Sequence, residues 1–138
     1  MSITLGESSL RRLEKVHPDL VRVVHRAAVL TDDEGFGWII TCGIRSVEEQ
    51  RRLVAKGASN TMRSRHLPGT GGWSHAVDFA CTIDGQVRWD WPLYRKLAVI
   101  VKEAARIEGV PIEWGGDWVK SLIKVVLVFS WWLSIPIT

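Results

Sequence analysis

The stretch Phe36-Gly37-Trp38-Ile39-Ile40-Thr41-Cys42, followed by Gly43-Ile44-Arg45 and then Ser46-Val47-Glu48-Glu49-Gln50, decides the fold. Its first seven residues, rich in apolar and β-branched side chains, read as a buried strand. Ser46 with Glu49 three residues on forms a capping box, so a helix begins almost at once. It runs through Lys56, and Gly57 can close it. Strand passing directly into helix indicates a mixed domain, and the flanking segments repeat both element types.

Upstream, Leu10, Leu13 and Val16 keep helical spacing until His17-Pro18 breaks the run. Pro18 suits the first turn of a second helix with Leu20, Val23, Val24, Ala27 and Leu30 as its apolar stripe. Residues 31–35 form a polar turn. Downstream, His75-Ala76-Val77-Asp78-Phe79-Ala80 predicts a second strand, and Asp84-Gly85 is a hairpin turn signal. Trp91-Pro92 opens the best helix, with Leu93, Leu97, Ile100, Val101, Ala104 and Ile107 on one face. Gly109 ends it, and Val110 to Trp114 reads as a third strand. The sequence therefore predicts an α+β fold, a small antiparallel sheet with helices packed around it. We place one domain over residues 1–118 and an atypical apolar tail over 119–138.

The chain has 138 residues, enough for one domain with a real core and no disulfide or metal staples. Its net charge of +3 would help it approach an anionic polymer. Nucleic acid is not the expected partner, because that reading rests only on Arg63, Arg65 and the net charge, and a short basic loop is ordinarily solvated surface. Cys42 and Cys81 lie in apolar stretches without CxxC spacing and read as two buried free thiols. Residues 1–7 carry no Sec-type signal, so the expected site of synthesis and first residence is the cytoplasm.

A loop of seventeen residues, 58–74, is long for a compact domain, and its length points to function. It contains Ser64-Arg65-His66, and Asp78 follows on the next strand. A loop imidazole and a strand carboxylate can share one zinc ion, which in catalytic sites takes three protein ligands and leaves a position open. Taken by spacing alone, the same two residues could be a surface histidine and a turn-capping aspartate.

Four blocks resemble one family. Ser64-Arg65-His66, a glycine, then His75-Ala76-Val77-Asp78 resembles the SxHxxGxAxD signature of zinc D-Ala-D-Ala carboxypeptidases and dipeptidases. Within that superfamily the chain is most similar to phage L-alanyl-D-glutamate peptidases. Val16-His17-Pro18-Asp19-Leu20 resembles their opening, Gly43-Ile44-Arg45-Ser46 with Glu49-Gln50 their strand-to-helix turn, and Trp114-Gly115-Gly116-Asp117-Trp118 the block before their last catalytic strand. The resemblance implies a zinc endopeptidase of peptidoglycan peptides, acting in host lysis. It implies His66 and Asp78 as ligands of Zn2+, Arg45 as the cation at the scissile carbonyl, and Ser64 as a supporting or substrate-contacting hydroxyl. His17 and His25 are read as structural. With no signal peptide, the resemblance also implies passage to the periplasmic wall through a holin-type pore, and the chain is expected to be a monomer.

Two departures stand out. The family motif places Asp seven residues after His, whereas here the interval is twelve, with Thr70-Gly71-Gly72-Trp73-Ser74 as an inserted tip. The family's DxxHF block, source of the third ligand and of the general base, has no counterpart: no His follows His75 and no Asp or Glu follows Asp117. Impaired activity is therefore expected. The alternative is a catalytically inactive relative that binds wall peptide or contacts a membrane weakly through the tail. From Val125 to Ile135 the apolar run is too short to span a bilayer, and a buried strand pair or an interfacial membrane contact is the expectation for it.

Overall fold

The structure is a computed structural model, and it describes residues 3–32, 34–58, 64–118 and 123–127. Four helices, α1 (Glu7–Arg12), α2 (Pro18–Leu30), α3 (Val47–Ala55) and α4 (Trp91–Glu108), pack with five strands, β1 (Phe36–Cys42), β2 (Ala76–Ile83), β3 (Gln86–Arg88), β4 (Ile112–Trp114) and β5 (Lys124–Leu127). The strands form one antiparallel sheet in the order β1-β2-β5-β4, with β3 paired to the end of β2. This is the α+β architecture expected from the sequence.

Local chemistry accounts for the element ends. The His17 ring accepts the Asp19 amide at 3.1 Å and Pro18 starts α2. Ser46 Oγ accepts the Glu49 amide at 3.1 Å and caps α3. Gly109, at φ 69°, takes the left-handed position that ends α4. Asp84 and Gly85, at φ 48° and 80°, make the tight turn joining β2 to β3.

β2 is the spine. Val77, Phe79 and Cys81 face the helices and join Trp38, Ile40, Tyr94, Leu97, Val101, Leu20 and Val24 in the core. Asp78 alternates onto the opposite face, and that division creates the site.

Several expectations need correction. The α1 helix ends at Arg12, and the chain turns through Lys15, at φ 67°, so that Val16 instead forms a bridge to Ser74. β1 is buried on one face only: Phe36, Trp38 and Ile40 are buried while Ile39 is 38% exposed. On α4 the buried stripe is Tyr94, Leu97, Ala98, Val101, Ala104 and Ala105, and Ile107 is 42% exposed. The small alanines let α4 lie close to its neighbours, so the seam is rotated from the stripe of large residues. Strand β3 has three exposed residues and no periodic signal, and the sequence reading passed over it. Within the apolar tail, Lys124–Leu127 is a strand between β2 and β4, with Val125 and Val126 buried; residues 128–138 lie outside the described residues. None of the described helices is long and apolar enough to cross a membrane.

Candidate metal centre

The segment 64–75 is held far more tightly than a solvated loop. The Arg45 amide donates to the His66 carbonyl at 2.8 Å, and the His75 amide donates to the Arg65 carbonyl at 2.9 Å. Gly69 N–H reaches the Trp73 carbonyl at 2.8 Å, closing the inserted tip around a short 3-10 turn at Thr70–Gly72. The twelve-residue interval therefore loops out and returns, and His66 is delivered to Asp78 regardless of the extra length. Arg65, read as solvated surface, is 2% exposed, with the charge of Glu113 opposing its own. Arg63 lies outside the described residues.

His66 is fully buried, and its Nε2 lies 3.1 Å from Asp78 Oδ1. Its Nδ1 lies 2.7 Å from the Gly43 carbonyl, an acceptor only, so Nδ1 carries the proton and donates it. Nε2 then presents a lone pair toward a carboxylate oxygen. Apart from each other, neither atom has a hydrogen-bond partner. Two buried lone pairs facing each other at that distance repel unless a cation sits between them. Burial disfavours charge on both groups. Even so, the carboxylate raises the His66 pKa above its ordinary value, and the imidazolium holds Asp78 below the usual carboxylate range.

A metal ion fits the same demand. Two donors on a tetrahedral zinc at ~2.0–2.1 Å stand about 3.3 Å apart, close to the observed spacing. The Gly43 carbonyl fixing the second ring nitrogen is the support that ligating histidines ordinarily have. The donor set, one imidazole and one carboxylate, suits zinc.

The other predicted residues lie around this pair. Ser64 Oγ accepts the His66 amide at 3.2 Å and lies 3.4 Å from Arg45 Nη1, which also donates to Gln50 Oε1 at 2.8 Å. Arg45 is half-buried and its charge acts on Asp78. His75 is buried and packs edge-on against His17, ring centroids 5.4 Å apart, and takes no part in the cluster. His25 is exposed on α2.

One member was missed as a site residue. Cys42, expected as a buried free thiol, is half-buried, and its Sγ lies 3.7 Å from His66 Nδ1. Burial would raise its pKa, but His66 brings it below the ordinary thiol value. Among the described residues, Cys42, His66 and Asp78 form a group whose donor atoms lie within 4.8 Å of one another. The signal available in sequence was only position: Cys42 is the last residue of the strand that leads into Arg45. Cys81 matches its expectation as a buried free thiol.

Comparison with known proteins gives concordant results. The family model described as phage L-alanyl-D-glutamate peptidase matches residues 1–124. The L-alanyl-D-glutamate peptidase of Escherichia phage T5 is 30% identical over 122 residues, spanning 86% of this chain and 83% of that protein. That of Listeria phage A118 is 33% identical over 110 residues, 80% of this chain but 36% of the longer protein. The crystal structure of the Serratia marcescens L-Ala D-Glu endopeptidase ChiX superposes with a TM-score of 0.80 at 38% identity, covering 93% of this chain and 92% of that one.

Proposed function

This chain belongs to the phage L-alanyl-D-glutamate peptidase family, and we propose that it hydrolyses the L-Ala–D-Glu bond of peptidoglycan with a zinc ion held by His66 and Asp78, in the service of host lysis. The observation that carries this reading is the buried His66 Nε2 facing Asp78 Oδ1 at 3.1 Å, with the other ring nitrogen fixed on the Gly43 carbonyl. When bound, zinc supplies Lewis-acid polarisation of the scissile carbonyl and of the attacking water.

The chain's own groups do the rest. Gly43 holds the ring of His66 through its carbonyl, and Ser64 holds the backbone of the same residue. Gln50, fully buried, braces the Arg45 guanidinium. In this reading Arg45 binds the carbonyl oxygen and steadies the negative charge that develops on it. Among the described residues, β5 brings Lys124 rather than a carboxylate alongside Asp78, so proton transfer to and from the attacking water is the step that a turnover measurement has to test.

The same observation favours a second reading, retention of wall peptide without cleavage. Digestion of purified peptidoglycan, with mass spectrometry of released peptides, separates the two. Peptides with a new D-Glu amino terminus, absent with chelator and in His66→Ala, support the peptidase. Zinc-loaded protein that pulls down with peptidoglycan but releases nothing supports the binder. Equal release by His66→Ala would overturn the site.

A further inference from the structure

Strands β1, β2 and β5 lie side by side, with Cys42 opposite Asp78 and Asp78 opposite Lys124. Directly opposed residues share a face of the sheet, so these three side chains stand in one row across the site. A β-bulge between Ile40 and Cys42 produces this arrangement. With unbroken alternation, Cys42 would follow Phe36, Trp38 and Ile40 into the core; the extra residue turns it onto the face of Asp78. One flank of Asp78 therefore carries an ammonium, which has no lone pair to give while charged, and the other carries a thiol.

We propose that Cys42 supplies the third protein donor to the metal, giving this chain a Cys–His–Asp centre. The inference rests on the metal-centre reading above and deepens it. Its support is the cluster itself: sulfur, imidazole nitrogen and carboxylate oxygen within 4.8 Å of one another, beside a His66 Nε2 that is buried and has no partner but Asp78. In a tetrahedral zinc site, sulfur and nitrogen donors stand about 3.5 Å apart, inside the 4.8 Å span of the cluster, and rotation of the short Cys42 side chain can tighten the set. Arg45 Nη2, 3.6 Å from the sulfur, offsets the charge of the bound thiolate. The thiol proton leaves to solvent as the metal binds.

Cobalt(II) is the probe. The full chain, freed of metal, is titrated with cobalt while visible d–d bands and the near-ultraviolet sulfur-to-cobalt charge-transfer band are followed. The parent should show both. Cys42→Ser should keep the visible bands, lose the charge-transfer band and bind zinc at least tenfold more weakly, whereas Cys81→Ser should match the parent. As a check needing no variant, zinc should protect Cys42 of the parent from alkylation, read by peptide mass. Visible bands without charge transfer in the parent, or a band that survives Cys42→Ser, overturn the proposal and leave the His66–Asp78 reading standing. Absence of saturable cobalt binding, with the parent behaving like His66→Ala, overturns both.

Discussion

Gly43→Ala should damage stability and the site together. A Cβ at this position would lie 2.0 Å from the Arg12 carbonyl oxygen and 2.9 Å from Val16 Cγ2. The first contact is with backbone, so relief requires the end of β1 and the end of α1 to part by about 1 Å. Overpacking of that kind costs about 1–3 kcal/mol. The Gly43 carbonyl also accepts His66 Nδ1 at 2.7 Å and Ser74 Oγ at 3.2 Å, and disturbing these adds about 1 kcal/mol. A total of about 2–4 kcal/mol should lower the urea midpoint by about 1–2 M for a chain of this size. Because the carbonyl sets the tautomer of His66, zinc affinity should also fall, by about 10–100-fold. Gly6→Ala, whose added carbon meets nothing within 4 Å, is the control and should cost below ~1 kcal/mol. If Gly43→Ala unfolds within ~0.5 kcal/mol of the parent and binds zinc equally well, the close approach and the tautomer argument both fail.

Zinc at a hundred times its Kd should stabilise the native chain by about 2.7 kcal/mol, raising Tm by roughly 8–10 °C in a thermal melt. His66→Ala should show no such rise, and an equal rise would remove His66 from the centre. Tyr94→Phe should cost about 1–3 kcal/mol in chemical denaturation. The buried hydroxyl accepts the Cys81 amide at 3.0 Å and donates to the Arg88 carbonyl at 2.8 Å, tying β3 to β2; a melt unchanged by the substitution would show that this tie contributes nothing. Burial pushes the Cys81 thiol up to about 12, so in the native, metal-free chain one thiol should react with an aromatic disulfide reagent at pH 8, and two in denaturant. Two fast-reacting thiols in the native chain would contradict the core placement of Cys81.

Local patterns carried most of the fold. The caps at His17-Pro18 and Ser46, the left-handed Gly109 and the Asp84-Gly85 turn each act within a few residues, so they are legible in the chain itself. The same holds for β1, whose residues form a strand with the predicted bounds. What depends on partners distant in sequence was not legible. The apolar run around Val125 could be read as a strand, but its position between β2 and β4, and hence Lys124 beside Asp78, is set by the sheet. Period-two alternation sends Cys42 to the core, and only a bulge fixed by pairing with β2 reverses it. The resemblance of the blocks around them to one family named His66 and Asp78. Tertiary packing brought their atoms to 3.1 Å, because hydrogen bonds from Arg45 and His75 hold the intervening loop closed, and the cost of its extra length is a modest entropy of closure.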